Sequence, residues 1–242
     1  MKTYGLIGKN ISYSFSEKYF TEKFQRENIL NSQYKTFDLQ AITELPQLLE
    51  NQSIKGLNVT IPYKEVVIPY LTDLSPEVKE IGAVNVIKII DNQLIGHNSD
   101  IYGFEVSFKE LLQNHHKKAL ILGTGGAAKA IQYVLKKNAI EFKIVSRTAS
   151  SETITYEDLT SETLSEYTII INCSPVGTFP NVDAKPDLNY DYITAQHYLY
   201  DLVYNPLQTA FLQEGQKRGA TTQNGLKMLE LQAEKAWEIW NL

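Results

Sequence analysis

The run Ala119-Leu-Ile-Leu-Gly-Thr-Gly-Gly-Ala-Ala-Lys-Ala130 constrains the fold more than any other segment of this chain. Its apolar opening reads as a strand, its glycine cluster as a tight turn, and its alanine-rich continuation as a helix. Gly123, Gly125 and Ala128 fit G-x-G-x-x-A, the pattern of a dinucleotide-binding strand-turn-helix. Gly123 permits the turn, Gly125 lets the backbone approach a pyrophosphate, and Ala128 lets the helix pack close to the sheet. The helix N-terminus then presents N–H groups and a partial positive charge to phosphate oxygens.

The chain has 242 residues, enough for one large or two small domains with a sizeable core. A net charge of −5 leaves no basic excess to neutralise a nucleic-acid backbone. Cys173 is the single cysteine, so no intrachain disulfide forms, which suits a reducing cytoplasm. Thr3-Tyr-Gly-Leu-Ile7 is already strand-like, and no apolar run approaches about 18 residues. Neither secretion nor membrane insertion is therefore expected, and the expected compartment is cytoplasmic.

Strand-like and helix-like runs alternate along the sequence. Residues 3–8, 34–39, 57–60 and 84–90 read as strands, and 16–28 as a helix capped by Ser14 or Ser16. Asp91-Asn92 reads as a hairpin turn. A helix over 102–113, with Phe104, Phe108, Leu111 and Leu112 apolar, bridges to a second unit opening at Lys118. There the order is strand 119–122, helix 126–137, strand 141–146, an acidic Thr-rich connection and strand 168–172. A Pro/Gly loop, strand 198–202 and helix 207–217 complete it. This alternation predicts a parallel sheet with helices on both faces. The segment 225–240 reads as an amphipathic helix with Leu226, Leu229, Ala233, Ala236 and Trp240 as its stripe.

The second strand of a dinucleotide-binding unit usually ends at an acid that holds the ribose 2′-hydroxyl. Here Ser146-Arg147-Thr148 stands at that place, about 23 residues after Gly123. A guanidinium flanked by two hydroxyls suits a 2′-phosphate, which a carboxylate would repel. The expected cofactor is NADP; the alternative for Arg147 is a solvated loop residue. Asn172-Cys-Ser-Pro-Val-Gly177 follows an apolar strand, and it is either a ligand-facing loop or a plain connection.

Several polar residues stand where a core would take apolar ones. Asn58 and Thr60 share one strand face in Asn58-Val-Thr-Ile-Pro-Tyr-Lys64, and Lys64 follows a proline in the first turn of a helix. Asn85 interrupts an apolar run and is either satisfied internally or turned to a ligand. Asp100 ends Gly96-His-Asn-Ser-Asp100, where it could cap the following helix. Gln232 lies on the apolar stripe of the last helix, as a core hydrogen bonder or a substrate contact.

Taken together, these segments resemble the shikimate dehydrogenase family over nearly the whole chain. The serine pair is similar to Tyr13-Ser14-Phe15-Ser16, N-V-T-x-P-x-K to Asn58–Lys64, and G-A-V-N to Gly82–Asn85. G-x-N-T-D-x-x-G appears as Gly96–Gly103 with Ser99 for Thr, and D-x-x-Y-x-P-x-x-T as Asp201–Thr209. G-x-x-M-L-x-x-Q-A appears as Gly225–Ala233. The resemblance implies an α/β fold. An N-terminal substrate domain, 1–101 completed by 220–242, accompanies a Rossmann-like NADP-binding domain, 102–219, and the C-terminal helix returns to the first domain. It also implies NADPH-dependent reduction of 3-dehydroshikimate to shikimate in aromatic amino-acid biosynthesis.

Carried over residue by residue, the resemblance has Ser14 and Ser16 holding the substrate carboxylate. Thr60, Lys64, Asn85, Asp100 and Gln232 would bind its oxygens, with Tyr204 nearby, and Lys64 and Asp100 would be the catalytic pair. Gly123, Thr124, Gly125, Gly126, Ala127, Ser146, Arg147, Thr148, Val203 and Gly225 would line the cofactor site. No metal is required, and a monomer or homodimer is expected. The chain departs from the family pattern at Glu17, where a proline is usual, and at Thr178, where a methionine is common. A basic residue often found shortly after the Arg-Thr pair is missing, and Glu152 lies in that region. Two other readings compete: a quinate or dual-specificity dehydrogenase using NAD, and a non-catalytic NADP-binding regulator on the same fold.

Overall fold

The computed structural model describes residues 1–11 and 14–242, so Tyr13 of the serine-pair motif lies outside the described residues. The chain packs as two units, Met1–Ser99 with Ala233–Leu242, and Asp100–Gln232.

In the first unit, β1 (Lys2–Gly8) lies parallel to both β2 (Ser32–Asp38) and β3 (Ile54–Val59). β5 (Val86–Ile90) and β6 (Gln93–His97) form an antiparallel hairpin, and the short β4 (Asp73–Leu74) joins its outer edge. The result is a six-stranded mixed sheet in the order β2-β1-β3-β5-β6-β4. Asp91 and Asn92 both take positive φ, the backbone that a two-residue hairpin turn of this hand requires. The strand read over 84–90 begins only at Val86, because Val84 and Asn85 bond to Lys64 and His97 in a connecting stretch.

Helix α1 (Phe15–Arg26) follows β1, and the Ser14 hydroxyl at its N-cap accepts the Ser16 N–H at 3.2 Å. Three short helices, α2 (Leu45–Leu49), α3 (Tyr63–Val66) and α4 (Pro76–Ile81), join the later strands. The inner face of α1 buries Phe20 and Phe24, and also Lys23. The Lys23 ammonium lies 2.6 Å from a Glu234 carboxylate oxygen and 2.9 Å from one of Glu27. Glu234 also accepts the Tyr19 hydroxyl at 2.6 Å, so the C-terminal half of the last helix is fastened to α1 by charge as well as by rings. Tyr4 stacks on Trp240 and meets Trp237 edge-on in the same core.

In the second unit, β7 (Lys118–Leu122) leads through the glycine turn into α6 (Gly126–Lys137), which returns to β8 (Glu141–Val145). The acidic Thr-rich connection holds β9 (Thr153–Ile154) and α7 (Ser161–Glu166); both are too short for a periodicity signal. β10 (Ile169–Asn172), β11 (Tyr198–Asp201), α8 (Ala210–Lys217) and β12 (Thr221–Gln223) complete the unit. The six strands lie in the order β12-β11-β10-β7-β8-β9, with every pairing parallel. Chain order reverses between β7 and β10, the place where open α/β sheets bind ligands beyond the carboxyl ends of their strands.

α5 (Asp100–Lys109) is shorter than expected: Leu111 lies beyond its end and is exposed. Asp100 is the first residue of this helix rather than a cap before it. In α9 (Leu226–Asn241), Met228, Ala233, Ala236, Ile239 and Trp240 are buried, whereas Leu226 and Leu229 are only partly covered.

Candidate active site

In the second unit the glycine turn is fixed where it leaves β7. Gly123 has φ +116°, a backbone that disfavours a side chain, and a Cβ there would lie 3.3 Å from the Cys173 backbone. Its N–H donates to the Val145 carbonyl at 3.0 Å. That bond sets the start of the turn beside the end of β8, from which Ser146, Arg147 and Thr148 follow. Arg147 and Thr148 are exposed, and Ser146 is half-buried.

Gly125 is the N-cap of α6, and no side chain caps it. A Cβ added to Gly125 meets no atom within 4 Å, so the space above it is open. Thr124 and Gly125 are exposed, Gly126 and Ala127 are partly covered, and Ala128 is fully buried against the sheet. The uncapped N–H groups of a twelve-residue helix thus open onto free space at the point where chain order reverses. This geometry fits a pyrophosphate. The exposed Arg147 guanidinium and its two hydroxyl neighbours fit the 2′-phosphate that NADP carries and NAD lacks.

The neighbouring strand ends carry a network that motif reading did not assign. Asp201, fully buried at the end of β11, accepts the Asn172 amide at 2.9 Å, the Val203 N–H at 3.0 Å and the Thr209 hydroxyl at 2.6 Å. Asn172 in turn accepts the Ser174 N–H at 3.1 Å and its hydroxyl at 2.6 Å. Val203 is buried, and its carbonyl accepts the Gly225 N–H at 3.1 Å. A Cβ on Gly225 would lie 2.1 Å from the Leu202 carbonyl oxygen, so only glycine allows α9 to start this close to the strand. Tyr204, next to Val203, is half-buried.

Asp100 and Gln232 belong to this same unit. α5 and α9 cross where a Cβ on Gly103 would lie 2.6 Å from the Met228 carbonyl and 3.0 Å from the Gln232 Cβ. Asp100 stands one turn before Gly103 on the same helix face. The crossing therefore brings the elements of both residues together.

In the first unit the remaining residues gather at the carboxyl ends of β1 and β3. The Thr60 N–H donates to the Ile7 carbonyl at 2.9 Å, and the Lys64 carbonyl accepts the Val84 N–H at 2.7 Å. The one-turn helix α3, which carries Lys64, is thereby tied to the Gly82–Asn85 segment. Thr60 and Lys64 are half-buried. Asn85 is 2% exposed, and its side chain accepts the Ser99 N–H at 2.7 Å while its amide reaches the Ser99 hydroxyl at 3.1 Å.

Behind these groups lies a buried polar relay. The Tyr34 hydroxyl donates to the Asn58 carboxamide at 2.7 Å, and Asn58 donates to the Asn85 carbonyl at 3.3 Å. Phe20 stacks on the Tyr34 ring at 4.5 Å. Burial raises the Tyr34 phenol well above its ordinary pKa, while hydrogen bonding from Ser16 and the Glu17 charge act as smaller opposed influences. Tyr34 stands in no motif and reads from sequence as an ordinary strand aromatic. The Glu17 carboxylate turns to the edge of the sheet, where it accepts the Thr36 N–H at 3.0 Å. The neighbouring Lys18 pairs instead with Glu22 at 3.9 Å.

A doubly wound parallel sheet with an open glycine turn, joined in one chain to a mixed α/β unit rich in buried amides, defines a two-domain dinucleotide-binding α/β protein. Residues 6–87 match the family model described as the shikimate dehydrogenase substrate binding domain. The chain is 38% identical to "Shikimate dehydrogenase (NADP(+))" of Clostridium botulinum, across 100% of this chain and 97% of that protein. It superposes on the crystal structure of shikimate dehydrogenase 1 from Peptoclostridium difficile with a TM-score of 0.86 at 39% identity, covering 100% of this chain and 92% of that one. The shikimate 5-dehydrogenase of Thermus thermophilus, in complex with NADP(H) and shikimate, gives a TM-score of 0.87 at 28% identity, with 99% and 93% covered. The chain belongs to the shikimate dehydrogenase family. Among the described residues, no helix is long and apolar enough to cross a membrane.

Proposed function

We infer that this protein is an NADP-dependent shikimate dehydrogenase that reversibly reduces 3-dehydroshikimate to shikimate. The observation that supports the cofactor assignment is the bond from Gly123 to Val145, which joins the glycine turn before the uncapped α6 to the strand end that precedes Arg147. Gly123 to Ala127 would hold the pyrophosphate, Ser146 to Thr148 the 2′-phosphate, and Val203 and Gly225 the far end of the cofactor. Bound NADPH supplies the hydride that converts the ketone to an alcohol.

The chain's own residues supply recognition and the proton. Ser14 and Ser16 would bind the substrate carboxylate, and the Tyr34–Asn58–Asn85 relay, which Ser16 meets at the Tyr34 phenol, would support that side of the site. Thr60, Asn85 and Gln232 would read the hydroxyls, with Tyr204 nearby; unpaired buried polar groups would reject analogues lacking them. Negative charge develops on the carbonyl oxygen as hydride arrives, so a proton donor is needed there. Protonated Lys64 would give its proton to that oxygen, and Asp100 would hold the oxygen and the ammonium in register.

By function, the substrate-binding part would be 1–101 completed by 220–242, with the cofactor part at 102–219. The packing division falls at 99/100 and 232/233, because α9 serves both units. We place the enzyme in the cytoplasm, as a monomer or homodimer that takes small-molecule substrates. The deciding assay measures NADP+ reduction with shikimate, then with quinate, then NAD+ in place of NADP+. Turnover of shikimate with NADP+ well above the other combinations is expected; a preference for quinate with NAD+ would overturn the assignment.

A further inference from the structure

The carboxylate of Asp201 is the polar centre of the strand ends beside the chain reversal. It receives three donors from three places: Asn172 at the end of β10, Val203 on its own outgoing loop, and Thr209 at the N-cap of α8. Asn172 passes this constraint on to Ser174 in the loop after β10. Val203 passes it on to Gly225 at the start of α9. One buried side chain therefore fixes both loops and a helix start around the segment assigned to the cofactor.

We propose that Asp201 is a positioning residue for NADP, holding the Val203–Gly225 wall of the cofactor site through its ionised carboxylate. The inference rests on the functional reading above, since it needs that wall to meet the cofactor. A carboxylate accepts all three donors at once, whereas a protonated acid must turn one oxygen into a donor and disturbs the set.

The protein environment makes that change accessible. Burial pushes the Asp201 carboxyl up to about 6, against the opposing pull of its three hydrogen bonds. The titratable groups facing it are the Cys173 thiol, the Tyr190 phenol and, beyond Cys173, the Tyr200 phenol. Burial raises all three above their ordinary values, so they stay neutral where Asp201 titrates. The raised value means that the carboxylate is present above about pH 6 and is replaced by the acid as pH falls through it.

The test is calorimetric binding of NADP+ to the intact wild-type chain and to Asp201→Asn, from about pH 8 down to about pH 5. Asparagine keeps one acceptor oxygen and presents an amide to Thr209, as the protonated acid would. At the upper end the variant is expected to bind roughly tenfold more weakly, the scale of one charge-assisted hydrogen bond. At the lower end the two affinities converge. The 2′-phosphate titrates in the same range but is common to both proteins, so it cancels in the ratio. A ratio constant with pH would make Asp201 structural only and overturn this inference alone. Wild-type protein that binds no NADP+ anywhere in the range would overturn the functional reading and this inference with it. Should Asp201→Asn fail to fold, Thr209→Val and Thr209→Ser decide. Loss of the donating hydroxyl should move the pH of affinity loss upward, and serine should restore it; an unmoved midpoint for Thr209→Val refutes the proposal.

Discussion

The Gly123 N–H donates to the Val145 carbonyl at 3.0 Å, and this one bond joins two segments whose meaning depends on each other. Gly123 opens the glycine turn, and Val145 is the last strand residue before Ser146-Arg147-Thr148. Arg147→Ala is accordingly expected to raise KM for NADPH by about tenfold or more while leaving KM for NADH nearly unchanged, since only NADPH carries the 2′-phosphate. Steady-state kinetics with both cofactors check this; an undiminished NADPH preference would remove Arg147 from the site.

Gly125 and Gly225 separate a ligand effect from a folding effect. A methyl on Gly125 meets no protein atom within 4 Å, and its φ of −73° suits any residue. Gly125→Ala should therefore melt close to the wild type yet bind NADPH more weakly, because the methyl enters the space offered to the pyrophosphate. A methyl on Gly225 would sit 2.1 Å from the Leu202 oxygen. Gly225→Ala must shift backbone and is expected to lose on the order of 1–3 kcal/mol, the usual penalty for overpacking. Thermal melts and cofactor titrations of both variants test the contrast.

Lys64→Ala should lower kcat by roughly 10²- to 10⁴-fold, the range for loss of a general acid. NADPH affinity should stay nearly intact, because the residues proposed to hold the cofactor belong to the other unit. Pre-steady-state hydride transfer with 3-dehydroshikimate separates the two quantities. A variant with full kcat would exclude Lys64 as the proton donor.

His116 and His197 make the second unit acid-sensitive. Each Nδ1 accepts a backbone N–H at 3.0 Å, from Gln113 and Thr194 respectively. The other ring nitrogen then carries the proton and donates, from His116 to the Gln196 carbonyl and from His197 to that of Leu164. Burial, the largest cause, lowers both below the ordinary histidine pKa. A lowered folded value means that the unfolded chain takes up protons first as pH falls. The stabilisation is present above about 6.5 and is lost as pH drops through the folded values. The melting temperature should fall between about pH 6.5 and pH 5, and His197→Asn should flatten that slope. An equally steep slope in the variant would rule out His197 as a source.

The parts of the proposed site that read from sequence do so because their signals are local. A turn that needs glycines, a strand that runs out into Ser146-Arg147, and a serine that caps α1 each involve a few consecutive residues. α6 was legible from its alanine-rich amphipathic pattern, and the hairpin from Asp91-Asn92. Elements without periodicity were not legible: β4, β9 and β12 are two or three residues long, and pairing with neighbours rather than pattern makes them strands.

The sequence by itself determined the two-unit α/β order, the strand–glycine turn–helix and the placing of Arg147 just after the next strand, because those follow from backbone sterics and short-range spacing. Only the tertiary structure decided which polar residues act together. Lys23 reads as a surface lysine until Glu234, 211 positions away, lies 2.6 Å from it. Tyr34 becomes a support for Asn58 and Asn85, and Asp201 becomes the centre that joins Asn172, Val203 and Thr209. Burial sets the strength of these contacts, and burial is a property of the packed chain. A carboxylate or phenol removed from water must find its partners across the fold, and no local pattern records where they are.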